Sequence, residues 1–510
     1  MILGDGRHLA GSTATLDDLF RRAGVRHPDA LALADPPNRK AVTDHAPREL
    51  SFAQTDRAIS ALAARLRGLG LQTDTVVAMQ LPNTVESVIA FLGVLRAGMI
   101  AVPMPLLWRR HDMVAALRDV GAKAIITSSR IGSVVHTDIA VQAAVELFPI
   151  RYLCSFGRDL PDGIVPLDDV FDSCSTEVFM TPIRSGPAAA HVAAVTFGLD
   201  PRGLFPLARS HTELIAGGLA IFLEANIVAN TSLLSTIPTG SFAGIVLTML
   251  PWLLSGGALH LHHGFDPDPF ARQCRSLKDG VVVLPEALLS PLATAALPRD
   301  EIRTIIALWR APERLALARP PEGATPVVDV TSFGEIGLFA TRRGADGLPV
   351  PLTHGVIGAP RQTVGAITVI ETGRGASGTL ALRGPMVPTH AFPPGAERGQ
   401  DPHLAPDAAG YVDTGFACGI ERAAQTLIIT APPSGTIGIG GYRFLQREVD
   451  TLIGQADPDA TVVTLPDADL GQRLAGTTAN RAALRAELQA RGVNPLISGA
   501  FQPRGVPEAA

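Results

Sequence analysis

Residues 76–103 read VVAMQLPNTVESVIAFLGVLRAGMIAVP, and their order decides the fold. Val76-Val77-Ala78-Met79 is a short, apolar, β-branched run that predicts a strand, and Pro82-Asn83 turns the chain. A helix is predicted over 86–97, stopped at Gly98, followed by a second strand over 100–103. Strand, helix and strand joined by short links predict parallel neighbours in one sheet. Upstream, 51–68 is an amphipathic helix with Ala58, Leu62, Ala63 and Leu66 on one stripe. Downstream the unit repeats, with a helix over 111–120 and a strand over 124–128.

Periodicity fades between Pro161 and Pro187, and a second α/β unit is predicted to begin with a strand at 193–197 and a helix at 210–225. Further strands are expected at 258–262, 280–284 and 302–310. From Gly355 the text changes to short, glycine-punctuated strands at 366–370, 378–383 and 426–430, the pattern of a small β-barrel or sandwich. Ala431-Pro432-Pro433-Ser434-Gly435 reads as a linker. The expectation is therefore an α/β protein. A large N-terminal body over 1–432 holds two α/β subdomains (about 1–190 and 191–354) and a β-barrel (355–432), and a small, shortened α+β domain over 436–510 follows. No internal repeat is visible.

With 510 residues, 46% hydrophobic and 18% charged, the chain can bury sizeable cores. A net charge of -5 supplies no basic face for a phosphate backbone, so nucleic acid is not an expected partner. Cys154, Cys174, Cys274 and Cys418 are scattered without C-x-x-C spacing, which fits a reducing compartment and a cytoplasmic location. The first fifteen residues carry Asp5, Arg7 and His8 and no apolar core segment, unlike a secretory signal. The apolar stretch 242–261 is broken by Pro251 and Gly256-Gly257, so it is read as helix, turn and buried strand, not as a membrane span.

Several segments in order carry a resemblance. They are Leu50-Ser51-Phe52-Ala53-Gln54, the 77–83 strand and turn, the 92–103 run, Gly378-Thr379-Leu380-Ala381-Leu382-Arg383-Gly384-Pro385, and Gly440-Gly441-Tyr442-Arg443-Phe444 followed by Arg447-Glu448-Val449-Asp450. Together they resemble the adenylate-forming superfamily, the acyl-CoA synthetases and AMP-dependent ligases, over most of the chain. The resemblance implies activation of a carboxylic acid with ATP and Mg²⁺, then transfer of the acyl group to a thiol. That chemistry needs cations and donors around a triphosphate, where charge develops in the transition state.

The residues at the implied sites depart from the family pattern. The family's Ser/Thr/Gly-rich phosphate loop aligns with 197–205, where Gly198 and Gly203 remain. The hydroxyls are gone, Asp200 is acidic, Phe205 stands in place of lysine, and Arg202 is the one substitute cation. The segment is expected to be a surface loop. Glu335, in Thr331-Ser332-Phe333-Gly334-Glu335, matches the family's metal-holding acid and is read either as a lone ligand or as a structural glutamate. The ribose-gripping turn reads Thr414-Gly415-Phe416, without its acid, and Asp413 replaces it only if the register slips. The hinge falls at Gly435. No lysine follows Lys278, and the one stretch of the tail similar to the family's lysine-bearing segment, 492–507, offers Arg504 instead.

Ser241, Phe242 and Gly244 fall at the implied acyl pocket. His260-x-His262-His263 with Asp266 has metal-like spacing but too few donors, so no metal is assigned. Ser210 before His211 reads as a helix cap. The expectation is a degenerate homologue that lacks standard adenylation and binds an acyl group, a thioester such as acyl-CoA or an acyl carrier protein, or another protein. The alternative is an atypical acid–CoA or acyl-AMP ligase, and only under it are ATP and Mg²⁺ the cofactors.

Overall fold

The computed structural model describes residues 14–172, 179–289, 301–317, 325–358, 368–375, 377–394, 402–421, 423–467 and 470–502. The readings at residues 5–8, Cys174, 366–367 and Arg504 lie outside the described residues.

The quoted stretch forms Val76–Gln80, Val85–Arg96 and Ile100–Pro103. Both strands are buried along their whole length and pair in parallel, Val77 opposite Ala101. They lie in a seven-stranded sheet whose order runs 203–210, 192–200, 100–103, 76–80, 124–128, 152–156, 164–166. A strand flanked by neighbours and covered on both faces has no polar side to show, which is why 76–79 is uniformly apolar. An eight-stranded sheet runs 337–342, 327–333, 302–309, 280–285, 233–235, 259–261, 31–34, 49–51.

Two helices, one buried at every residue and one at all but Leu254, pack in the main core. Val85–Arg96 lies against Phe52–Gly68, where a Cβ on Gly93 would come within 2.8 Å of Leu62. Phe242–Ser255 is the second, ending at Gly256 with φ +69° before the strand Leu259–Leu261. Helices apolar on every side belong inside. Helix, turn and strand thus follow the reading of 242–261, and among the described residues no helix is long and apolar enough to cross a membrane.

The strand expected to open the second unit does not do so. Val192–Asp200 joins the first sheet, Ala194 beside Ala101, while Leu31–Ala34 and Glu49–Ser51 from the N-terminal region complete the second. Sequence order misses this exchange because it depends on long-range pairing. Beyond 350, six antiparallel strands run 352–353, 426–431, 412–421, 379–383, 368–374, 355–358. The two edge strands flank His354, and Thr372 Oγ1 donates to Thr353 O (2.9 Å) and accepts from Gly355 N (3.0 Å). The sheet therefore curls toward a barrel.

The small domain contains hairpins Thr436–Ile439/Tyr442–Leu445 and Thr461–Asp467/Gly471–Thr477 with helices Gln446–Ala456 and Arg481–Ala490, around their own core of Ile437, Val449, Leu488 and Phe501. It seats on the body near Arg110–Leu117: His111 N donates to Gly492 O (3.0 Å) and Arg110 Nη2 to Arg491 O (2.9 Å).

Candidate functional site

The segment expected to be a surface loop is a β-hairpin. Val192–Asp200 and Gly203–Ser210 pair without a break from Ala194/Arg209 to Asp200/Gly203, with Gly198 opposite Phe205. The Phe205 ring is buried (5% exposed), and a Cβ on Gly198 would lie 2.5 Å from its tip, so Gly198 serves ring packing. The other face of Phe205 stacks on His403 at 4.9 Å. At the turn, Asp200 accepts from Arg202 N (2.7 Å), Arg202 Nη2 (2.7 Å) and His403 Nδ1 (2.9 Å). Burial pushes the Asp200 carboxyl up, but these bonds outweigh it and hold it below its ordinary value. Arg202 also donates to Pro402 O (3.2 Å), and Gly203 takes φ +142°, a conformation that favours glycine. Arg202 is thus engaged in its own turn.

Glu335 lies beyond the strand Val327–Phe333, after Gly334 at φ +59°. Its Oε2 accepts from Phe242 N (2.7 Å), the first amide of the buried helix, and Ser241 Oγ accepts from Gly244 N (3.1 Å). Together they satisfy donors that a helix start leaves unpaired, and a carboxylate there suits the helix dipole. Desolvation pushes the Glu335 carboxyl up, against the opposing pull of Phe242 N, Arg209 and Arg310. Arg209, wholly buried, donates to Met386 O (2.8 Å) and to Glu335 O and stacks on Phe242 at 4.0 Å. Arg310 Nη2 donates to Ser241 Oγ (3.0 Å). Ser241, Phe242 and Glu335 therefore meet, as the carboxylate-bearing cap of one helix. Gly244 is fixed by packing, since a Cβ there would fall 2.1 Å from Pro238 O. Glu335→Ala is expected to lower stability by about 1–2 kcal/mol, while Glu335→Gln keeps the acceptor and stays near wild type, as urea unfolding measures.

Asp413 does not join this group. Its exposed carboxylate accepts from Thr379 Oγ1 (2.9 Å) and Gly415 N (2.8 Å). Thr414, on the buried side, donates to Leu380 O (2.7 Å). Phe416 is fully buried, edge-on to Phe333 at 5.6 Å, with the Arg443 guanidinium 4.4 Å from its ring centre. Arg443 Nη2 donates to Arg310 O (2.7 Å), and burial pushes its pKa down to about 10. Tyr442 OH accepts from Leu107 N (3.3 Å). Gly435 turns the linker at φ +72°, its carbonyl accepting from Gln446 N (2.9 Å). The crevice between body and small domain is thus packed with Phe416 and arginines. Arg209, Arg310 and Arg443 were missed by sequence reasoning; the one signal was Arg209 directly after apolar Leu207-Ala208 in a strand.

The histidines diverge. His262 Nδ1 pairs with Gln273 Oε1 (2.7 Å), His263 Nδ1 accepts from Asn83 N (3.3 Å), and His260 faces a separate groove. Among the described residues no group of three or more His, Cys, Asp or Glu could hold a metal. Ser210 caps its helix with Glu213 in a capping box, as expected, and His211 Nδ1 accepts from Leu16 N (3.3 Å).

Residues 20–155 match the family model described as AMP-binding enzyme. A 2-hydroxy-7-methoxy-5-methyl-1-naphthoate–CoA ligase from Streptomyces carzinostaticus is 25% identical over 477 residues, 89% of this chain and 81% of the relative. A medium-chain fatty-acid–CoA ligase from Escherichia coli K12 is 22% identical over 477 residues, 90% of this chain and 80% of the relative. Among solved structures, the amide bond synthetase McbA from Marinactinospora thermotolerans has TM-score 0.67 at 19% identity, covering 94% of each chain. The Bacillus subtilis o-succinylbenzoate CoA synthetase MenE, as a double mutant, has TM-score 0.69 at 14% identity, covering 94% of this chain and 93% of that one. These likenesses carry the fold.

Proposed function

We propose that this chain, a member of the adenylate-forming AMP-binding enzyme family, does not carry out standard ATP-dependent adenylation and works by binding an acyl group as its thioester, on CoA or on an acyl carrier protein. The observation that carries this reading is the hairpin. Catalysis on a triphosphate draws on backbone donors aimed at phosphate oxygens. In the 192–210 segment residues 194–200 are laddered to 203–209, Phe205 covers Gly198, and Arg202 is held by Asp200. Glu335 spends an oxygen on Phe242 N. These groups do not suit Mg²⁺·ATP.

A second reading, an atypical acid–CoA or acyl-AMP ligase, draws support from relatives that are named as ligases. Acid-dependent pyrophosphate exchange separates the two. No exchange above background is expected with Mg²⁺·ATP and a panel of aromatic and fatty acids. Acyl-CoA or acylated carrier protein, at a hundred times its Kd, is expected to raise the unfolding free energy by about 2.7 kcal/mol. Exchange that Arg202→Ala abolishes, or no stabilisation by either thioester, overturns the proposal.

A further inference from the structure

A groove of about 670 Å³ opens on the eight-stranded sheet, sharing no residue with the Ser241–Glu335 crevice. Cross-strand register defines its floor. Ala34 pairs with His260 on one side and with Glu49 on the other, so the three side chains share a face. Strands 4.7–4.9 Å apart put the Glu49 and His260 backbones about 10 Å from each other, with only a methyl group between them. Helix Pro267–Ser276 forms a wall: Gln273 is fixed to the sheet by its bond to Leu261 O (2.8 Å), which places Arg272 and Ser276 along the groove.

Besides Asp35, which is buried against Arg39, two exposed charges of opposite sign line this space, Glu49 and Arg272. Among the described residues, Glu49 and Arg272 form no ion pair with each other or with any other group. His260, on the floor, is pushed down by desolvation, which Glu49 only opposes. A monovalent ligand would satisfy one wall only. A molecule charged at both ends satisfies both, its apolar body resting on Ala34 and Leu31. An extended dipeptide spans about 7 Å, and a groove of about 670 Å³ has room for one.

We propose that this groove binds a small dipolar molecule of dipeptide size, its ammonium toward Glu49 and its carboxylate toward Arg272. Alanyl-leucine is the probe, followed by calorimetric titration of the full chain. Saturable binding is expected, weakened by about tenfold in Glu49→Gln and in Arg272→Gln, the scale of one charge-assisted contact. N-acetylation should weaken binding to wild type but add nothing in Glu49→Gln, and C-amidation should behave likewise with Arg272→Gln. Both residues are surface-exposed, so thermal unfolding of the variants should match wild type. No saturable binding, equal binding of the capped peptides, or indifference to both substitutions overturns the proposal.

Discussion

Asp329→Ala is expected to destabilise the chain by about 3–5 kcal/mol. Asp329 and Arg343 are both almost fully buried, and the carboxylate accepts from Arg343 Nε (2.8 Å), Arg343 Nη2 (2.8 Å) and Trp309 Nε1 (2.8 Å). Alanine leaves a guanidinium inside the protein without its counter-charge, and that penalty far exceeds one lost hydrogen bond. The strand that carries Asp329 ends two residues before Glu335, so the helix cap loses its support as well. Urea unfolding measures the effect. Asp329→Leu combined with Arg343→Met removes both charges and should be milder than Asp329→Ala alone; a harsher double variant would contradict this account.

The second large effect depends on pH. Asp112 accepts from Arg109 N (3.0 Å) where the small domain seats, and desolvation pushes its carboxyl up to about 7, against the pull of Arg109 and Asn494. The folded chain therefore holds this proton more tightly than the unfolded chain, whose Asp titrates near the ordinary value of about 3.9. Unfolding free energy falls as pH rises from about 4 through about 7 and stays low above that. Asp112→Asn, which cannot ionise, should match wild type near pH 3.5, below the unfolded-state pKa, and exceed it by about 2–4 kcal/mol at pH 8.5. Parallel urea titrations isolate this group, because other buried acids contribute equally to both proteins. A difference independent of pH would reject the assignment.

Much of the scaffold was legible because its signals are local. The 76–103 stretch needs only apolar runs of two lengths and a glycine stop to declare strand, helix, strand. Gly256-Gly257 and Pro251 mark the 242–261 segment equally plainly. The hairpin was less legible, although Asp200-Pro201-Arg202-Gly203 has Asp, Pro and Gly where a tight turn favours them. The contact of Arg443 with Arg310 was not legible, since the two lie 133 positions apart and only the docked small domain brings them together. Glu335 was visible as an acid, but its role depends on Phe242 N, a backbone donor that no side-chain pattern announces.

The tip of the 192–210 hairpin reaches beyond its own sheet. Arg447 Nη2, on the first helix of the small domain, donates to Arg202 O (2.9 Å), and a Cβ on Gly203 would approach Glu448 to 3.7 Å. The ribbon is the mooring of the appendage beside it. Replacing residues 197–205 would therefore do more than alter one turn; it would first cast that appendage adrift.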